Sequence, residues 1–173
     1  MSGLRLPRRM RAALAAAAFL FAAFGASPAH ALCVAVCACG VTTSNVVFGS
    51  INPLQATNTD ATGSILVSCG GVAGLLIPVT VDISKGSGPS YSARAMSSGA
   101  NKLQYNLYAD SAHTQVFGDA TGSTVDGTGN IGLNALGLGP TLTFYVYGRV
   151  PGPQPAVVPA DYSDAITVTM TYY

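Results

Sequence analysis

Beyond residue 40 the dominant pattern is alternation, one apolar position followed by one polar. Ile77, Val79, Val81 and Ile83 interleave with Pro78, Thr80 and Asp82, and Leu103, Tyr105 and Leu107 with Gln104, Asn106 and Tyr108. Leu142, Phe144 and Val146 interleave with Thr143, Tyr145 and Tyr147, and Ile166, Val168, Met170 and Tyr172 with Thr167, Thr169 and Thr171. A period of two is that of a strand with one face on a core and one in water. Each run therefore predicts a half-buried strand, and two more are predicted at 41–48 and 62–69. Stretches such as 85–89 and 119–132, rich in Gly, Ser, Pro and Asp, predict turns. No run sustains the 3.6-residue period of a helix, so the expected fold is an all-β sandwich. Its predicted core is Val41, Phe48, Ile65, Val67, Val79, Val81, Leu103, Tyr105, Leu107, Phe144, Val146, Ile166, Val168 and Met170.

Ala160-Asp161-Tyr162 stands just ahead of the final strand. Tyr162 is read as a tyrosine corner, its hydroxyl bonded back to nearby backbone as at the F strand of immunoglobulin-like folds. The sequence stops at Tyr173, so no G strand follows. The expected fold is thus an incomplete immunoglobulin-like sandwich lacking its last strand.

The start of the chain reads differently. Arg5, Arg8, Arg9 and Arg11 precede a 13-residue apolar run at 12–24, then Gly25, Pro28 and the small-x-small site Ala29-His30-Ala31. That run is short of the roughly 20 residues a spanning helix needs. Residues 1–31 are read as a secretory signal, with cleavage after Gly25 or Ala29 chemically acceptable too. The expected mature chain divides into a short extension, 32–38, and a sandwich domain, 39–173.

Export removes half of the basic residues. The remainder carries Lys85, Lys102, Arg94 and Arg149 against seven Asp, which leaves no basic patch for phosphates and argues against nucleic-acid binding. All four cysteines (Cys33, Cys37, Cys39, Cys69) lie in the exported part, where disulfides are the default. Three pairings are open. A metal site is disfavoured because no second Cys or His pair stands at zinc spacing.

Catalysis is not expected. There is no Glu, His113 is the one histidine beyond His30, and no Gly-x-Ser-x-Gly elbow occurs. His113 is read as an ordinary surface residue after a turn at Asp110. The repeat Asp60-Ala-Thr-Gly-Ser64 and Asp119-Ala-Thr-Gly-Ser123 lacks aspartic-protease spacing, and each copy is read as a turn leading into a strand. Asp119 and Asp126 match no EF-hand order, so neither a cofactor nor a metal is expected.

Several segments, taken in order, carry a family resemblance. They are Cys39-x-Val41 with Phe48-Gly49, Gly63-Ser-Ile-Leu-Val-Ser-Cys69, Arg94-Ala-Met96 and Leu103-Gln-Tyr-Asn-Leu-Tyr-Ala-Asp110. Phe117-Gly-Asp119, Tyr147-Gly-Arg-Val150, Tyr162-x-Asp164 and Val168-Thr-Met-Thr-Tyr172 follow. Together they resemble the spore coat protein U domain family, which includes subunits of archaic chaperone–usher pili. Ala120, Ala160 and the proline-rich 151–155 depart from the family pattern, all in loops.

The resemblance implies a structural subunit of a surface pilus or coat. Its sandwich would be completed by donor-strand addition from a neighbour, after a periplasmic chaperone and an outer-membrane usher have handled it. Localisation would be the cell surface, with roles in adhesion or biofilm. Four or five buried donor side chains would supply on the order of 10 kcal/mol before ordering costs, comparable to a whole domain's stability. The resemblance also implies a Cys39–Cys69 disulfide, with Cys33 and Cys37 pairing locally or with another chain. Ile166, Val168, Met170 and Tyr172 would border the acceptor groove and meet the chaperone.

The donor in such pili precedes the position of Cys39. Leu32, Val34, Val36 and Ala38 alternate suitably, but seven residues span only about 23 Å, and a Cys33–Cys37 bridge would kink them. The segment is read as the donor strand, with a terminal subunit that only accepts as the other outcome. A secreted binding module or tip adhesin is the alternative function, using outward Tyr91, Tyr108, Tyr145, Tyr147 and Tyr173 against carbohydrate.

Overall fold

The alternating runs pair into two facing sheets in the computed structural model, which describes residues 37–173. Among the described residues there is no helix. The first sheet is built on β2 (Thr59–Gly71), flanked by β1 (Cys37–Ser44) and β10 (Leu142–Val150). It continues through β6 (Asn106–Tyr108), β7 (Val116–Phe117) and β8 (Thr124–Val125). The second sheet has three strands in the order β11 (Val168–Tyr172), β3 (Leu76–Ile83) and β9 (Gly127–Gly132). A separate hairpin joins β4 (Ala95–Ser98) to β5 (Asn101–Gln104). The core is filled from both sheets, by Ile65 and Val67 of β2 and by Ile77, Val79, Val81 and Ile83 of β3.

Three expectations change. The run 103–107 is two strands: Leu103 ends in β5 and Leu107 in β6, with Tyr105 between them donating its N–H to the Arg94 carbonyl. The Gly-rich 119–132 stretch contains β8 and β9 as well as a turn. Its glycines look like turn formers but serve packing. A Cβ on Gly127 would lie 2.7 Å from the Phe144 ring, and one on Gly129 would lie 2.6 Å from Leu142, so both give the facing sheet room to approach. The first Asp-Ala-Thr-Gly-Ser copy lies inside β2, where Asp60 pairs with Arg149 of β10.

Val41 also departs from its expected place. It sits opposite Val67 and so shares its face, yet it is 41% exposed where Val67 is 0%. The cause is the unequal width of the sheets. β1 is the edge of the first sheet, and the second sheet stops at β11, so among the described residues no strand covers the β1 flank.

One buried cation ties the loops to the sheets. Arg94 is fully buried. Its guanidinium donates to Asn106 Oδ1 at 3.0 Å and to the carbonyls of Ser84 and Phe117, each at 2.8 Å. It also lies 5.1 Å from the Tyr91 ring centroid, a cation–π contact. The acceptors belong to the end of β3, β6 and β7, so one fork fixes three elements. Burial pushes the Arg94 pKa down, and the carbonyl dipoles take the place of a counter-ion. Arg94→Lys keeps the charge but cannot reach all of these acceptors. It should cost about 3 kcal/mol or more in urea unfolding, since each orphaned buried acceptor costs about 1–3.

Candidate functional site: the open flank of the sandwich

The uncovered flank is a groove of about 780 Å³ between residues 43–51 on one side and 157–168 on the other. Its floor is the core itself: Ile65, Ile83, Met96, Leu103, Leu107 and Val146 line it. The first wall leaves β1 and folds over the sheet, with Val46 and Phe48 packed against Gly148, where a Cβ would lie 2.6–2.7 Å from them. Phe48 meets Tyr105 edge-on at 6.1 Å.

The second wall is held by polar latches. The Tyr162 hydroxyl donates to the Val158 carbonyl at 2.8 Å. Ser163 and Ser97 exchange backbone hydrogen bonds of 2.8 and 3.1 Å. The Asp164 carboxylate accepts from the Ser87 N–H at 2.9 Å and from the Tyr105 hydroxyl at 2.7 Å. Burial first, and that hydrogen bond second, push the Tyr105 pKa well above the phenol range, so Tyr105 stays a neutral donor.

Ile166 and Val168 line the groove, while Met170 and Tyr172 continue the half-buried face of β11 against the core. β11 pairs with β3 along one edge, Val168 opposite Ile83 and Tyr172 opposite Val79. Among the described residues no strand pairs with its other edge. An apolar trough beside an unpaired strand edge is suited to receiving an added strand. Among the described residues no three His, Cys, Asp or Glu side chains gather to hold a metal ion.

The Cys39–Cys69 disulfide joins β1 to β2 at directly opposed positions, with a Cα–Cα distance of 4.1 Å. Cys37 is also disulfide-bonded. Cys33, like Leu32, Val34 and Val36 and the signal reading of 1–31, lies outside the described residues. Ala38 does not belong to a free extension. Cys37 and Ala38 are paired in β1, opposite Gly71 and Gly70.

His113, expected as an ordinary surface residue, is instead half-buried, its ring largely covered. The Asp110 carboxylate accepts from the N–H groups of Thr114 and Gln115, and the tight loop this closes turns His113 back over the sheet at φ 58°. Its ring lies edge-on between Tyr108 at 5.2 Å and Tyr147 at 6.3 Å, with 7% of the side chain exposed. The nearby Asp60 is bound by both Arg149 Nε and Nη2 at 2.7 Å. Those bonds hold its carboxyl below the usual range. This exposed pair contributes little, fully above about pH 3.9 and less as pH falls through the lowered value. Of the tyrosines considered for sugar stacking, three lie together: Tyr108 and Tyr147 enclose His113, and the exposed Tyr145 ring lies 6.3 Å from Tyr147. Tyr91 instead faces Arg94, and Tyr173 follows β11.

A model of the Spore Coat Protein U domain matches residues 23–169. The chain belongs to the Spore Coat Protein U domain family. No curated protein matches the sequence. Among solved structures, the fold is similar to a chain of the CsuC–CsuE chaperone–tip adhesion subunit pre-assembly complex, from archaic chaperone-usher Csu pili of Acinetobacter baumannii. The TM-score is 0.51 at 20% identity, over 78% of this chain and 39% of that one. This Spore Coat Protein U domain therefore spans well under half of that neighbour's length. In the domain, the Tyr162-x-Asp164 motif supplies all three latches of the second wall.

The Tyr105–Asp164 bond gives a direct test of that wall. Asp164→Ala leaves the Tyr105 hydroxyl without its acceptor and should cost about 2–3 kcal/mol, against about 1 for Tyr105→Phe. The double variant should lose no more than Asp164→Ala alone, a coupling that urea unfolding of all four proteins reads directly.

Proposed function

We propose that this protein is a structural subunit of a surface pilus or coat assembled by the chaperone–usher route, its groove closed by a donor strand from a neighbour. The observation that carries this reading is the open flank: core residues floor an apolar groove whose β11 edge has no partner among the described residues. Family membership supports it, as does a fold neighbour that is itself part of a chaperone–subunit complex. The bond formed is wholly non-covalent. Backbone groups of the incoming strand pair with β11, and alternate apolar side chains descend onto Ile166, Val168 and the floor.

A periplasmic chaperone is the first occupant, an outer-membrane usher mediates its exchange, and further subunits are the final partners. The site is exported through the periplasm and displayed outside. No chemistry of bonds is assigned to the groove, whose Tyr105 and Asp164 are committed to each other.

The donor is the segment ahead of Cys37. From Leu32 to Val36 it spans about 17 Å, about the length of the five-residue β11. Cleavage after Gly25 would add six residues, and N-terminal sequencing of the exported protein measures the length. The function is tested by supplying the strand in trans. A peptide of residues 26–36 should raise the melting temperature of the exported protein, by mass action about 2.7 kcal/mol at a hundredfold excess over Kd. The peptide carrying Val34→Asp and Val36→Asp should not. Ile166→Asp in the protein should abolish the response, whereas Tyr145→Asp on the outer face should leave it. A protein that folds cooperatively alone and ignores every apolar strand peptide would overturn the proposal.

A further inference from the structure

The two ends of the sandwich, separated by the 13 residues of β2, or about 40 Å, each carry exposed apolar side chains. At the end where β1 begins, Val72, Leu76, Leu136 and Leu138 are 51%, 66%, 82% and 58% exposed. They are not on loose loops. Gly71 N–H donates to the Gly137 carbonyl at 2.8 Å, Leu133 N–H to Leu75 at 2.8 Å, and Gly139 N–H to Cys69 at 3.2 Å. The 72–76 and 133–139 loops are thus laced to each other and to β2, directly beside Cys37, which pairs with Gly71. At the opposite end, Val47, Leu54 and Val158 are 71%, 71% and 44% exposed. Val47 and Val158 line the groove, so this is its mouth.

Resting on the function proposed above, we infer that the Val72–Leu136–Leu138 end of one copy docks on the Val47–Leu54–Val158 groove mouth of the next copy, forming a second interface beside the donated strand. Three observations lead there. Cys37 is already paired in β1, opposite Gly71, so a donor strand that runs to Val36 leaves no linker between it and its own body. The two bodies must abut wherever that strand ends.

A strand completing an immunoglobulin-like sandwich runs antiparallel to its F strand, here β11. β11 runs from Val168, opposite Ile83, to Tyr172, opposite Val79 on the Leu76 side. An antiparallel donor therefore finishes at the Val168 end, at the groove mouth. Finally, the segments that carry these side chains, 71–76 and 133–139 at one end and 45–58 and 151–160 at the other, contain no charged residue, so contact removes exposed hydrocarbon from water without burying charge. The two surfaces differ, so the contact is heterologous and propagates as an open polymer.

The experiment compares polymers of the exported full chain with those of a Leu136→Ser/Leu138→Ser variant and a Leu54→Ser variant. Each should still be stabilised by the donor peptide of residues 26–36 as the parent is. Each should need about tenfold more free subunit to sustain polymer, and combining them should add little, because both remove one contact. Variants whose polymers form at the parent's concentration would overturn the docking while leaving the groove's function intact. Unchanged polymers with weakened adsorption to an apolar surface would likewise overturn it and give the patch to an external partner. Loss of the peptide response in the parent would overturn both readings.

Discussion

The structure turns on a mismatch of width between two sheets. Among the described strands, β1 extends the first sheet beyond the point where the second sheet ends at β11, and the groove beneath that overhang is floored by hydrocarbon. Ile65, Ile83 and Leu103 belong to the same buried cluster as Val67 and Val79, yet they also floor an open groove. In an ordinary sandwich such a groove would close by collapse. Here the first wall is seated on Gly148 through Val46 and Phe48, and the second is held by hydrogen bonds that collapse would break, so the apolar surface stays open.

The latches divide the work. Arg94 anchors the floor by binding carbonyls at the end of β3 and on β7, together with Asn106 of β6. The Cys39–Cys69 disulfide holds the overhanging β1 to β2, and closing that loop stabilises by about 3–4 kcal/mol on the chain-entropy model. Tyr162 and Asp164 hold the second wall, one by a local turn and the other by reaching across to Tyr105 and Ser87. All of these bonds are made within the domain itself. The groove is therefore preorganised, and binding free energy is not consumed in shaping it.

Much of this was legible in the sequence, for reasons that differ by element. Period-two runs located β3, β10 and β11 because each has one face on the core, and Tyr162 stood out because a corner tyrosine is a local motif. Position 41 misled because alternation reports which face a residue takes, not whether anything covers that face. β9 was hidden by Gly127 and Gly129, whose missing side chains make room for Phe144 and Leu142 yet read as turn formers. His113 looked exposed because the Asp110 turn is visible in sequence, whereas the Tyr108 and Tyr147 rings that enclose it come from separate strands. Arg94 appeared only as part of a motif. A lone arginine in a polar stretch carries no sign that its partners are carbonyls from three distant elements.

In the proposed assembly, the pairing of Cys37 opposite Gly71 constrains the joint more than the length of the donor does. On the proposed function, a donor that runs to Val36, whatever its length, meets Cys37, already paired opposite Gly71, with no intervening residue. Flexibility between successive bodies then cannot come from a linker. It must come from how the end beside Cys37 seats against the next groove mouth. A joint of this kind has two parts in series, a strand that fixes register by hydrogen bonds and an end-to-end contact that fixes direction by apolar burial. Loss of the second would leave subunits connected but free to pivot, so stiffness and connection are separable properties of the same chain.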